Sequence, residues 1–139
     1  VVLQKEYADL PAVRCHPKQI EQVFMNLLVN AYQAIEARLA RDGGGNGEIV
    51  LRTATTDGGV VISVSDDGAG IAPEHADRIF EPFFTTKEVG EGTGLGLSTS
   101  FEIVRRHGGT IRALPRDGGG TTFEVWLPQQ GPDGRAPHS

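Results

Sequence analysis

The sequence predicts an α+β fold, a two-layer sandwich in which about three helices cover one face of a mixed, largely antiparallel sheet. A long segment that starts at Pro17 carries apolar residues at helical spacing, and a second such segment starts near Leu95. Two pairs of alternating segments are each joined by a glycine-containing turn, as in antiparallel hairpins. Helices and hairpins in this loose alternation are typical of one helical layer packed on one sheet.

The helix predicted at residues 17–40 is the longest element. Proline suits its first turn, and Gly43 suits the position just after its end. One face is predicted to be buried, because apolar residues recur at the spacing of a single stripe. These residues are Ile20, Val23, Phe24, Leu27, Leu28, Ala31, Ile35 and Leu39.

Strands are predicted where β-branched and other apolar residues alternate with polar ones. On one of them, period two places Asp66 on the same face as Val64, toward the core, and Asp67 on the opposite face. The glycines at 58–59 and 118–120 mark the turns of two hairpins. In chain order the predicted strands are residues 1–7, 12–15, 48–55, 60–65, 110–114 and 121–127.

The remaining segments are predicted from the proline and glycine residues that bound them and from the spacing of their apolar residues. Residues 72–80 form a short helix with proline and an acid in its first turn, and residues 82–94 form a mobile loop without sustained period. The next helix follows from the spacing of Leu97, Phe101 and Val104 and ends before Gly108. Residues 1–128 are predicted to form one domain and residues 129–139 a disordered tail.

Composition excludes several classes of protein. The chain has 139 residues and a net charge of -5, so it lacks the basic surface that binds nucleic acid. The single cysteine, Cys15, cannot form an internal disulfide and fits a reducing compartment. There is no signal peptide and no apolar run near 18 residues. The chain opens without methionine and is interpreted as a segment of a longer protein, which leaves a membrane anchor elsewhere open.

Two asparagines lie beside the buried stripe of the long helix. At about 100° per residue, Asn26, Asn30, Gln33 and Ala37 form a row along its margin. Asparagine in a helix costs roughly 0.5 to 0.7 kcal/mol relative to alanine, so this pair needs an explanation. One explanation is that an amide oxygen completes the shell of a Mg²⁺ ion held mainly by phosphates and water. The other is that neighbouring backbone satisfies both asparagines.

Two further stretches suggest nucleotide chemistry. The run Gly92-Thr93-Gly94-Leu95-Gly96-Leu97 directly precedes a helix, whose free N–H groups and positive end favour an anion such as phosphate. It is neither a dinucleotide-binding fingerprint nor a P-loop. Asp66, followed by Gly68 and Gly70, is a candidate base reader, because a carboxylate accepts from the adenine amine and repels the guanine O6. The alternative is an Asx turn closed by glycines.

These stretches, in this order, resemble the catalytic and ATP-binding domain of bacterial sensor histidine kinases, a branch of the ATPase family shared with gyrase, Hsp90 and MutL. N-L-L-V-N-A-Y-Q-A is similar to the N box, D-D-G-A-G-I to the G1 box, F-E-P-F-F-T-T-K to the F box and G-T-G-L-G-L to the G2 box. G-G-G-T-T-F resembles the closing glycine turn. The resemblance implies the Bergerat ATP-binding fold, and T-T-K and N-A-Y-Q-A look most like the nitrogen-regulation subtype.

The resemblance implies roles at the matching positions. Asn30 would bind Mg²⁺ between the phosphates, Asn26 would line the same site, and Asp66 would accept from the adenine amine. The lid over ATP would be hinged by Gly92, Gly94 and Gly96 and anchored by packing of Phe80, Phe83 and Phe84. The other nucleotide-binding residues implied are Gln33, Gly68, Gly70, Ile71, Thr86, Lys87, Thr93, Leu95, Leu97 and Thr122.

The chain departs from the family pattern at three points. Asn26 stands where the gyrase-like branch has a glutamate base, which implies slow hydrolysis of ATP by water. Gln33 stands where many histidine kinases have a lysine or arginine, so Lys87 is the candidate cation for the γ-phosphate, with a solvated lysine as the alternative. None of the four histidines lies in a sequence like that of the phosphoacceptor: His16, His75, His107 and His138.

The predicted function is that of an ATP-dependent protein histidine kinase in a two-component system, using ATP and Mg²⁺, with Asn26, Asn30 and Lys87 as its catalytic residues. The phosphoacceptor histidine would belong to a separate dimerisation domain of a homodimeric, cytoplasmic or membrane-anchored parent, and a response regulator would follow. This segment itself is expected to be monomeric. Two alternatives stay open: a non-catalytic nucleotide-binding regulatory module, and a serine kinase of the anti-sigma-factor type.

Overall fold

A five-stranded sheet and two helices make up the part of the chain that the computed structural model describes, namely residues 2–6, 17–56, 58–71, 78–80, 96–116 and 118–129. In chain order the elements are β1 (Val2–Glu6), α1 (Pro17–Asp42), β2 (Glu48–Thr56), β3 (Gly59–Asp66), α2 (Gly96–Arg106), β4 (Thr110–Pro115) and β5 (Thr121–Pro128).

The sheet is mixed and largely antiparallel, as predicted. Its strand order is β1-β2-β3-β5-β4, in which only β1 and β2 run parallel. The hairpins β2–β3 and β4–β5 are the two that the glycine turns predicted. Pairing of β3 with β5 joins these hairpins and sets Asp66 opposite Thr121 at the end of both strands.

Helix α1 packs its predicted stripe against one face of the sheet. Val23, Leu27, Ala31 and Ile35 are fully buried, and they share the core with Phe123 of β5. Phe24, Leu28 and Leu39 are half-buried at the margin of the stripe. The helix ends at Asp42 rather than at residue 40, after which Gly43 adopts a φ of 81° that favours glycine.

Helix α2 buries a face that differs in part from the predicted one. Ser100, Ile103 and Val104 are its buried residues, whereas Phe101 is 40% exposed. The helix ends at Arg106, before Gly108 as predicted, and Gly108 has a φ of 76° and donates its N–H to the Arg105 carbonyl. His107 is buried there with Nδ1 2.8 Å from the Ile103 carbonyl, a structural role.

The other face of the sheet carries polar and charged side chains. Arg112 pairs with Glu124 across β4 and β5, and Arg116 pairs with Glu48. Trp126 is half-buried on this face, where its Nε1–H donates to the Thr56 hydroxyl at 2.9 Å. The indole therefore covers the end of the sheet near the β2–β3 turn.

Several predicted elements lie outside the described residues. They include the strand at 12–15, most of the helix at 72–80, the loop at 82–94 and the tail beyond residue 129. Of the predicted three helices, α1 and α2 are therefore the two described, and residues 78–80 form a turn. Neither described helix is both long and apolar enough to span a membrane.

Candidate nucleotide-binding site

Asp66 ends β3 inside the core, as period two predicted. Its side chain is fully buried, and Oδ1 accepts a hydrogen bond from the Gly68 N–H at 2.8 Å. This is the Asx turn that the sequence left open as an alternative. However, Oδ2 is also buried and has no hydrogen-bond partner within the described part of the chain. A buried oxygen in this state costs free energy until a donor reaches it, so the turn alone does not account for Asp66.

Burial also changes the ionisation of Asp66. Desolvation raises the pKa of Asp66 from 3.8 to about 6, although the backbone N–H groups of Gly68 and Thr121 and the positive charge of Arg116 lower it in part. The negative charge of the neighbouring Asp67 also raises this pKa, and it is the smallest of these effects. The carboxylate is thus ionised at neutral pH but poorly compensated, which suits it to accept a hydrogen bond from a ligand.

Gly68 lets the turn after Asp66 lie directly on α1. A Cβ atom at Gly68 would stand 2.5 Å from the Ala34 carbonyl carbon, closer than side chains pack. The next residue, Ala69, donates its N–H to the Ala34 carbonyl at 3.0 Å. Gly70 has a φ of 79° and lies near the backbone of Gly120. The two glycines therefore let the turn after Asp66 lie against α1 and near the backbone of Gly120.

The two asparagines of α1 have different surroundings. Asn26 donates from Nδ2 to the Gly96 carbonyl at 3.1 Å and lies 3.2 Å from the Ser100 hydroxyl, and its Oδ1 accepts from Gln22. Neighbouring groups thus satisfy Asn26, which joins α1 to the first turn of α2. Asn30 is half-buried, and its side chain makes no hydrogen bond to any described residue. Asn30 is therefore the asparagine whose amide is open to a ligand.

The structure places the other predicted residues as follows. Gln33 and Ile71 are half-buried, and Gly96 and Leu97 form the first turn of α2. Phe80 packs with its ring centroid 5.5 Å from that of Phe101 and 6.3 Å from that of Phe123, and its role as a lid anchor stays a prediction. The predicted lid residues lie outside the described residues: Phe83, Phe84, Thr86, Lys87, Gly92, Thr93, Gly94 and Leu95.

The prediction for Thr122 is corrected by the register of β5. Thr122 pairs with Ser65, and their hydroxyls are hydrogen-bonded on the sheet face opposite to Asp66. There Thr122 lines a cavity of about 320 Å³ together with Arg116. Thr121 is the buried residue beside Asp66, and the alternation of Thr121, Phe123 and Val125 along the strand carried the signal that would have identified it.

The fold and the buried Asp66 turn are those of an ATPase-type domain. The chain belongs to the family of histidine kinase-, DNA gyrase B- and HSP90-like ATPases, whose model matches residues 15–131. This confirms the family that the four sequence stretches resembled.

Sensor histidine kinases are among its relatives. Over 119 residues the chain is 45% identical to the sensor histidine kinase ZraS of Escherichia coli (strain K12). The aligned region covers 86% of this chain and 23% of ZraS. Over 120 residues it is 39% identical to sporulation kinase E of Bacillus subtilis (strain 168). That aligned region covers 86% of this chain and 15% of the kinase. The chain thus spans about a quarter or less of the length of these curated relatives.

Solved structures show the same architecture. The catalytic domain of histidine kinase ThkA, in a nucleotide-free form, matches with a TM-score of 0.78 and 35% identity over 96% of this chain and 82% of that chain. Full-length ShkA in complex with AMPPNP matches with a TM-score of 0.73 and 28% identity over 91% of this chain and 25% of that chain. The predicted similarity to the catalytic domain of a histidine kinase is confirmed.

Proposed function

We propose that this chain binds Mg·ATP between α1 and the end of β3 and acts as the catalytic domain of a sensor histidine kinase. The observation that carries the proposal is the buried Asp66 Oδ2, which has no hydrogen-bond partner among the described residues and which the exocyclic amine of adenine would satisfy. The AMPPNP complex of ShkA, a protein of the same fold, supports a nucleotide as the ligand.

Asn30 would hold the magnesium ion at the phosphate end of the nucleotide. Its half-buried amide is open on the helix that also contacts the Asp66 turn, and Mg²⁺ needs few protein ligands because it retains water and phosphate oxygens. The ion would supply charge neutralisation for the phosphates. In the same proposal the lid glycines and Lys87 present N–H groups and a positive charge to the γ-phosphate.

Transfer to an acceptor group, rather than to water, is supported by the residue at position 26. Asn26 is engaged with α2 and carries no carboxylate, so it provides no base to activate water. Phosphoryl transfer then depends on positioning ATP against an acceptor on another domain of the parent protein. Residues 1–128 would be the domain that does this, and a response regulator would receive the group.

Asn30→Ala is expected to remove the effect of magnesium on nucleotide binding. The wild-type chain should bind ADP more tightly with Mg²⁺ than with a chelator, and the variant should lose about tenfold in affinity only when Mg²⁺ is present, because one ligand of the ion is missing. Calorimetric titration measures the ADP affinity of each protein with Mg²⁺ and with a chelator. Glu36→Gln, on the exposed side of α1, is the control. An equal loss with and without Mg²⁺ would place Asn30 away from the ion.

The full-length parent protein is expected to label itself from ATP carrying a radioactive γ-phosphate. The bound phosphate should be labile to acid and stable to base, as for phosphohistidine. Acid-stable label would support the serine kinase of the anti-sigma-factor type, and nucleotide binding without any label would support the regulatory module. Either result would refute histidine phosphorylation while leaving nucleotide binding by this domain intact.

A further inference from the structure

Asp67 ties the end of β3 to two other elements at once. Its Oδ1 accepts the Glu48 N–H at 2.9 Å, and its own N–H donates to the Glu48 carbonyl at 3.3 Å. The same Oδ1 lies 3.5 Å from Nη2 of Arg38 on α1. Because Asp67 directly follows Asp66, contacts that fix the Asp67 backbone restrict where the Asp66 carboxylate can lie. The position of the buried carboxylate is therefore set partly through its neighbour.

Two contacts other than the one with Asp67 hold Arg38 in place. Its Nη2 donates to the Asn46 carbonyl at 2.8 Å, and Nη1 lies 3.4 Å from Asp42 Oδ2. The Arg38 side chain is only 23% exposed. A guanidinium already held by these two contacts loses less side-chain entropy when it pairs with a carboxylate than an ordinary surface arginine does.

Three successive turns of α1 face this region. Asn30, Ala34 and Arg38 follow at intervals of four residues, so they lie along one side of the helix. Ala34 accepts the Ala69 N–H and packs against Gly68. The helix thus contacts the turn after Asp66 at two points, through Arg38 at Asp67 and through Ala34 at Gly68 and Ala69.

We propose that the pair of Arg38 and Asp67 is a positioning device for purine recognition, which fixes the Asp66 carboxylate relative to α1 and so sets the preference for a 6-amino purine without touching the nucleotide. This inference rests on the proposed function, in which Asp66 accepts from the adenine amine. Asp67 and Arg38 are positioning residues.

The test compares ADP with inosine diphosphate, which carries a carbonyl oxygen where adenine has its amine. The wild-type chain should prefer ADP, and the ratio of the two dissociation constants measures the contact with Asp66. Asp67→Asn keeps an acceptor for the Glu48 N–H but removes the charge, and Arg38→Gln removes the partner. Each is expected to reduce the ADP preference by about fivefold, the size expected for a partly exposed charge pair. Arg38→Lys, which keeps the charge, should retain most of the preference.

Glu124→Gln is the matched control, because it removes one member of an ion pair, that of Glu124 with Arg112, on the face of the sheet away from Asp66. Affinities are measured at a temperature where circular dichroism shows every variant fully folded. Equal weakening of both nucleotides, or a lower melting temperature with an unchanged ratio, would overturn the proposal, since a purely structural role predicts that result. If Asp67→Asn does not fold, the ADP preference of Arg38→Gln alone tests the proposal. A wild-type chain without ADP preference would instead overturn the base-reading role of Asp66, and this inference with it.

Discussion

Asp66→Asn is expected to weaken ADP binding by roughly 2 kcal/mol or more, about thirtyfold, while making the nucleotide-free domain more stable. The affinity falls because the asparagine oxygen would still accept from the Gly68 N–H, which leaves its NH₂ group in the place of Oδ2. A donor would then face the donor amine of adenine. The two donors repel each other, and neither is satisfied.

The gain in stability follows from the sign of the pKa shift. Burial raises the pKa of Asp66 to about 6, above its ordinary value of 3.8, so the folded state binds the proton more tightly than the unfolded state. The free energy of unfolding of the wild type should therefore fall as the pH rises from about 4 to about 6 and stay level above that. At pH 7 the buried charge costs on the order of 3 kcal/mol, of which asparagine recovers only part, because its NH₂ group is then buried without an acceptor in the nucleotide-free domain.

Two titrations check this prediction. Urea unfolding at pH 4, 5, 6 and 7 should show a decline for the wild type and a flatter profile for Asp66→Asn, with Asp42→Asn behaving as the wild type. ADP affinity of the wild type should decrease as the pH falls below about 6, because the protonated carboxyl accepts poorly. An unchanged ADP affinity in Asp66→Asn would remove the role of this residue as a base reader.

Gly120→Ala is expected to lower the free energy of unfolding by about 3 to 4 kcal/mol, the sum of backbone strain and overpacking. Gly120 has a φ of 107°, and a Cβ atom there would stand 2.0 Å from the Asp66 carbonyl oxygen and 2.9 Å from the Asp67 Cα. These are backbone atoms, so they cannot move aside as a flexible side chain could. The end of β3 would have to shift, and with it the Asp66 carboxylate.

Gly119→Ala separates the two contributions to this loss. Gly119 has nearly the same φ, 109°, but a Cβ atom there meets nothing within 4 Å. The Gly119 variant should lose only the strain, about 1 to 2 kcal/mol, and should bind ADP normally. Urea unfolding of both variants measures the difference. Equal losses would show that the close approach of Gly120 to Asp66 adds no cost.

The spacing of apolar residues in the sequence predicted most of the fold and the burial of Asp66, the central residue of the site. The spacing of apolar residues identified the buried face of α1, and period two identified Asp66 as a carboxylate that points into the core. Both rules work because the helix and the strand repeat regularly, so one buried residue fixes where its neighbours point. The same rule, applied along β5, would have selected Thr121 in place of Thr122.

Contacts between distant segments could not be read from the sequence. The partners of Asn26 on α2 lie 70 and 74 positions away in the chain, so no local pattern showed that its amide is already satisfied. The same contact explains why Ser100 is buried on α2 while Phe101 is partly exposed. The interaction of Arg38 with Asp67 is likewise set by how α1 crosses the sheet, which spacing alone leaves undetermined.

The tight fit of Gly68 against Ala34 has a consequence for binding kinetics. A turn fixed to a helix by a backbone hydrogen bond and direct packing is preorganised, so little conformational entropy remains to be lost when a purine arrives. Substitutions that weaken only the base contact should then leave the association rate nearly unchanged and shorten the residence time of the nucleotide.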